Sequence, residues 1–152
     1  MNISFDLDDT LIPGVKRFPV ERRTIWQKLV SRESLRSGTV ALMKRLIQDN
    51  HRVHIYTTSY RSPFYIRMLF LSYGIYVNKI INKSVHDKTL EKRAGSISKY
   101  PPAFGIDWHI DDSPGVAIEG TRHQFRTIII PENDMEWTTT ILTQLLAGEA
   151  GA

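Results

Sequence analysis

The chain has 152 residues, 41% hydrophobic and 24% charged, which suits one soluble domain with a real core. It has no cysteine, so disulfides, thiolate metal sites and cysteine nucleophiles are excluded, and a reducing, cytoplasmic setting is compatible. The net charge of +4 permits attraction to an anionic substrate such as a phosphate ester or nucleic acid, although the basic residues are scattered. No apolar run approaches a membrane span, and the N-terminus enters a strand directly rather than reading as a signal peptide.

The first element is a strand. Ile3, Phe5 and Leu7 alternate with Ser4 and Asp6, and then Asp6, Asp8 and Asp9 fall within four positions where the strand should stop. Like charges that close repel, and a hard divalent cation is their natural partner. The alternative is a turn in which Asp side chains cap backbone amides. A calcium loop starting at Asp6 is excluded, because Leu11 stands where it needs Gly and Arg17 where it needs Glu.

Asp6-Leu7-Asp8-Asp9-Thr10-Leu11 behind a hydrophobic strand resembles motif I of the haloacid dehalogenase (HAD) superfamily. Most members of that superfamily are Mg²⁺-dependent phosphatases that work through an aspartyl-phosphate. The resemblance implies a Rossmann-like α/β fold of three layers, α/β/α, around a central, mainly parallel five-stranded sheet. It covers about residues 2–145, with residues 1–147 as a single domain and 148–152 as a flexible tail.

Pro13, Gly14 and Pro19 mark a loop, and residues 20–32 read as an amphipathic helix with Arg22, Arg23, Lys28 and Arg32 on its solvated face. Ser37-Gly38-Thr39 opens a second helix, closed by Asp49-Asn50-His51. Val53–Thr57 is the next strand; strand, helix, strand at this spacing predicts a parallel crossover. It ends in the hydroxyls Thr57, Thr58 and Ser59. Thr57 resembles the motif II hydroxyl that binds a phosphoryl oxygen, with Thr58 or Ser59 as alternatives and Arg61 as a further substrate ligand.

Ser62-Pro63 starts a third helix that Gly74 ends. Residues 75–81 read as a third strand and 86–94 as a short helix ending at Gly95. Trp108 to Asp112 is a strand ending in two acids, which resembles motif IV; one or both of Asp111 and Asp112 would complete a Mg²⁺ shell. Motif III is an upstream lysine. Lys99 is preferred, because the double proline after it fixes the backbone, while Lys83, Lys88 and Lys92 stay open. His109 reads as a packed, hydrogen-bonded strand residue. A short helix over 116–119 with Gly120 as its stop, a fifth strand over 125–130, and a last helix capped by Asn133 or Asp134 complete the chain.

By this resemblance Asp6 is the nucleophile, Asp8 the acid and base, and Thr57 and Lys99 stabilise charge. Asp6, Asp8 (through its carbonyl), Asp111 and Asp112 are the metal ligands. An Asp at position 8 favours phosphatase or phosphotransferase over dehalogenase. The short interval after motif I implies a minimal cap, which leaves phosphoprotein, polynucleotide ends and nucleotides open as substrates. Two alternatives remain: nucleic-acid end processing, and a non-catalytic interaction protein that docks through residues 63–73 or 20–32.

Overall fold

The computed structural model describes residues 1–150, with the side chains of residues 149 and 150 left aside. Five strands form one sheet: β1 (Asn2–Phe5), β2 (Arg52–Tyr56), β3 (Ile80–Ile81), β4 (Trp108–Asp111) and β5 (Arg126–Ile129). Their order is β3-β2-β1-β4-β5, and every pairing is parallel. Helices flank this sheet as in a Rossmann-like three-layer fold: α1 (Ile25–Val30), α2 (Thr39–Gln48), α3 (Pro63–Ser72), α4 (Lys83–Leu90), α5 (Pro114–His123) and α6 (Trp137–Ala150).

The chain winds outward from β1 to β3, then returns to the other side of β1 for β4 and β5. The direction therefore reverses between β1 and β4. In open parallel sheets, ligands bind beyond the carboxyl ends of the strands at such a reversal.

The register decides what each face of the sheet presents. Phe5 pairs with Ile55 and Ile110, and Ile110 with Ile128. With Ile3, Leu7 and Val53 they pack on Leu42, Met43 and Leu46 of α2, on Ile66, Leu69 and Phe70 of α3, and on Trp137, Ile141 and Leu145 of α6. The other face is mixed: Tyr56 packs with Ile81 and Ile106 in a small apolar cluster, and polar residues form a row beside it. Ser4 pairs with His54 and with His109, so these three form one row across the sheet. Because side chains alternate, Asp6, Tyr56 and Asp111 form the next row on that face.

Several elements differ from expectation. The helix expected over 20–32 is only Ile25–Val30; it buries no residue, and Ile25, Trp26 and Leu29 are exposed. The third strand shrinks to Ile80–Ile81. Ahead of it the Asn78 side chain accepts the Val53 N–H, while the Asn78 N–H donates to the Val53 carbonyl, so one side chain replaces a ladder step. The helix expected over 86–94 starts earlier, at Lys83, because the Asn82 side chain caps the Val85 N–H, and it ends at Leu90.

Gly120 does not stop α5 but lies inside it. A Cβ there would stand 2.9 Å from the Phe125 carbonyl oxygen, so close packing of helix on strand requires glycine. The helix ends instead at Gln124, which adopts a left-handed conformation. Residues 148–150, expected as tail, extend α6; residues 151–152 lie outside the described residues. Among the described residues no helix is long and apolar enough to cross a membrane.

Candidate active site

Asp6 follows β1 directly, and its N–H continues the ladder by donating to the Ile110 carbonyl at 2.8 Å. That register brings Asp6 beside Asp111, the last residue of β4. One carboxylate oxygen each from Asp6, Asp111 and Asp112 lie within 4.8 Å of one another. They line a cleft of about 320 Å³, together with Asp8, Thr58 and Lys99. A larger cavity of about 510 Å³ lies at the opposite edge, near Met1, Asp107 and Arg126; the carboxylate cluster is not part of it.

Of the lysines weighed for this position, Lys99 reaches Asp6. Its side chain is almost wholly buried, and Nζ lies 2.5 Å from Asp6 Oδ1, 2.5 Å from the Tyr56 carbonyl and 3.7 Å from Asp111 Oδ2. Lys83 pairs with Asp87 instead.

The two inner carboxylates titrate in opposite directions. Burial pushes the Asp6 carboxyl up to about 7; Lys99 pulls it down and Asp111 pushes it further up. Burial would also raise Asp111, but the His109 hydrogen bond, the Lys99 charge and the Ser113 N–H outweigh it and hold Asp111 down at about 2. His109 is fully buried. Its Nε2 lies 3.0 Å from Asp111 Oδ2, and its Nδ1 lies 2.7 Å from Ser4 Oγ. An ionised Asp111 only accepts, so Nε2 carries the proton and Nδ1 accepts from the Ser4 hydroxyl, an assignment made from the network. Burial likewise lowers the His109 pKa, which favours this neutral form.

The outer acids each do something different. Asp8 contributes no carboxylate to the three-oxygen group; its side chain turns to Arg61, whose NH1 donates to Oδ2 at 2.8 Å. Arg61 also grips Glu33 at 2.6 Å, and Glu33 accepts from the Tyr65 hydroxyl at 2.9 Å. Burial would lower the Arg61 pKa, but its hydrogen bonds and charge contacts with these two carboxylates raise it. Asp112 accepts from Thr10 Oγ1 at 3.0 Å and pairs with Lys16 Nζ at 2.6 Å. Asp9 is the capping Asp: it sits at φ 60° and accepts the N–H groups of Gly14 and Lys16.

Of the expected hydroxyls, Thr57 is buried and its Oγ1 accepts the Ser59 N–H at 3.1 Å, whereas Thr58 lines the cleft. Ser59 Oγ accepts the Arg61 N–H at 3.4 Å. Sequence reasoning missed Glu33, Tyr56 and Glu119. Tyr56 was visible only as an apolar strand residue, although it shares the parity of His54 on β2.

The donor set fits a hard metal ion. It is made of carboxylate oxygens, which hard cations prefer.

No protein-family model and no curated protein matches the sequence. Among solved structures, the fold is similar to a chain in the "Structure of the Pnkp1/Rnl/Hen1 RNA repair complex". The TM-score is 0.56 and the identity 12%, over 88% of this chain and 43% of that chain. The present chain thus spans less than half the length of that structural neighbour, and at this identity the likeness shows the fold alone.

Proposed function

We propose that the protein is a Mg²⁺-dependent phosphomonoester hydrolase of the HAD type. The observation that supports this most is the convergence of Asp6, Asp111 and Asp112 at the strand reversal, with the buried Lys99 ammonium on Asp6. Asp6, Asp111 or Asp112, and the Asp8 carbonyl would hold the ion. Bound there, Mg²⁺ would offset the negative charge of the carboxylates and of the substrate's phosphoryl oxygens.

Asp6 attacks phosphorus in line; an aspartyl-phosphate bond forms as the ester P–O bond breaks. Asp8 gives its proton to the leaving oxygen. It then takes a proton from water, which attacks phosphorus and releases Asp6 and inorganic phosphate. Lys99 stabilises charge that develops on the phosphoryl oxygens, and the Thr57 and Thr58 hydroxyls supply further donors at the end of β2. Arg61 leaves Asp8 to meet the anionic substrate, and Ser59 holds the turn that presents it.

The test is hydrolysis of p-nitrophenyl phosphate with Mg²⁺ or with EDTA, comparing the wild type with Asp6→Asn. Turnover that needs Mg²⁺ and vanishes in the variant supports the reading. Absence of both turnover and calorimetric Mg²⁺ binding would sink it and leave an interaction protein, with exposed α1 as its docking face.

A nucleic-acid terminus is the second substrate reading. The net charge of +4 and the similar chain's place in an RNA repair complex favour it. Phosphate release from DNA or RNA ends that falls steeply with salt would support this reading.

A further inference from the structure

Lys99 reaches Asp6 from a loop. The segment 97–100 lies between two short turns, Glu91–Arg93 and Pro101–Phe104, and belongs to no helix or strand. Its lysine is nevertheless 2% exposed, with its ammonium fixed among Asp6, Asp111 and the Tyr56 carbonyl. A long, flexible side chain on an irregular backbone needs an external hold to be placed so narrowly.

Two side chains from other elements supply that hold. Glu119, on α5, takes three donors on one carboxylate. Its Oε1 accepts the Ser98 N–H at 2.9 Å, and its Oε2 accepts the Ser98 hydroxyl at 2.7 Å and the Lys99 N–H at 3.1 Å. Tyr56, at the end of β2, acts from the other side. Its phenol oxygen accepts the Tyr100 N–H at 2.9 Å, and its ring faces the Lys99 ammonium at 5.0 Å.

The phenol is itself pinned. It lies 2.5 Å from His86 Nδ1, and with the Tyr100 N–H already on the oxygen, the phenol proton points to that nitrogen. His86 is buried, and burial lowers its pKa, so it is neutral and able to accept. The two amides on either side of the Lys99 Cα are therefore both held by side chains of distant elements.

We infer that Glu119 and Tyr56 are positioning residues that clamp the backbone on either side of Lys99 and so aim its ammonium between Asp6 and Asp111. Neither side chain makes a hydrogen bond to Asp6 or Asp111; both act through the backbone on either side of Lys99. The kinetic consequence rests on the phosphatase reading, whereas the clamp itself does not.

The experiment therefore has two readouts on the wild type, Glu119→Ala, Glu119→Gln and Tyr56→Phe. The first is amide hydrogen exchange in the metal-free protein. Glu119→Ala is expected to speed exchange at residues 98–99 and Tyr56→Phe at residue 100, while β2 and α5 keep their protection.

The second readout is Mg²⁺-dependent p-nitrophenyl phosphate hydrolysis. Glu119→Ala is expected to lower kcat about ten- to a hundredfold with KM within about twofold, because misplacing a group slows chemistry more than binding. Glu119→Gln keeps one acceptor oxygen and is expected to recover kcat to within about threefold of wild type. Tyr56→Phe leaves a buried N–H unpaired; Glu119 is half-buried, so its variants keep the test intact if Tyr56→Phe fails to fold.

Unchanged exchange at 98–100 overturns the clamp. Faster exchange with an unchanged kcat overturns its positioning role. Where the wild type shows no turnover, exchange alone decides the clamp, and the phosphatase reading falls only if calorimetric Mg²⁺ binding is absent as well.

Discussion

The inner and outer carboxylates of the cleft differ in what surrounds them. Asp6 and Asp111 end neighbouring parallel strands and are buried around one lysine, with His109 behind them. Asp8 and Asp112 lie one step toward solvent, and each meets a basic side chain from a loop: Arg61 for Asp8, Lys16 for Asp112. The inner pair is fixed by sheet register, so its geometry cannot relax and its charge is costly. The outer pair is held by side chains that water can replace. Chemistry that needs a fixed nucleophile belongs on the inner pair, and groups that must move or exchange a proton belong on the outer one.

The largest expected effect is at Asp6. Asp6→Asn should abolish turnover and at the same time stabilise the metal-free protein at alkaline pH. The sign follows from the raised carboxyl, which moves from 3.8 to about 7. Well below pH 3.8 Asp6 is protonated in both folded and unfolded chains, and Asn imitates that state. As pH rises to 7 the unfolded chain ionises freely while the folded one resists, so wild-type stability falls relative to the variant. The gap should approach about 4 kcal/mol at pH 8, from about 1.36 kcal/mol per pKa unit, and shrink to less than about 1 kcal/mol at pH 4. Urea denaturation at the two pH values checks this, and Mg²⁺ should narrow the gap by stabilising only the wild type.

Lys99→Met comes next. It leaves Asp6 and Asp111 facing each other without their shared cation. The expected loss is about 3 kcal/mol in metal-free protein at pH 8, by urea denaturation, with part recovered on adding Mg²⁺. A loss as small as that of an exposed ion pair would place Lys99 outside the inner group.

The outer residues should behave differently. Arg61→Gln is expected to change stability by less than about 1 kcal/mol, since the Arg61 and Asp8 side chains are 27% and 39% exposed. Its KM should rise roughly tenfold through loss of one charge-assisted contact to substrate. Lys16→Ala should be smallest, within about 1 kcal/mol of stability and with little change in KM. An Arg61 variant as destabilised as Lys99→Met would erase the distinction between inner and outer acids.

Much of this arrangement was legible in the sequence. Asp6 and Asp111 are readable because a period-two strand ends in a carboxylate, and strand ends share one edge in a parallel sheet. The same parity places Ser4 with Asp6 and His109 with Asp111. The position of Lys99 rested on the nearby prolines, and the residues that hold it were invisible. Glu119 reads as a solvated helix residue and Tyr56 as an apolar strand residue until α5 and β2 are brought together around residues 98–100. The Arg61–Glu33 contact spans 28 positions and depends on how the loop before α2 lies on α3, which no local pattern encodes. The shortened α1 has a related cause: Ile25, Trp26 and Leu29 carry helical spacing, but no neighbouring surface covers them.

The most direct test of the proposed chemistry is to look for phosphate on Asp6. The protein would be mixed with p-nitrophenyl phosphate and Mg²⁺, quenched in acid within a turnover, digested and examined by mass spectrometry. The account predicts a phosphorylated peptide containing residues 2–16, with the label on Asp6, absent with EDTA and absent from Asp6→Asn. Mg²⁺-dependent turnover that persists in Asp6→Asn, with no label on that peptide in the wild type, would contradict it.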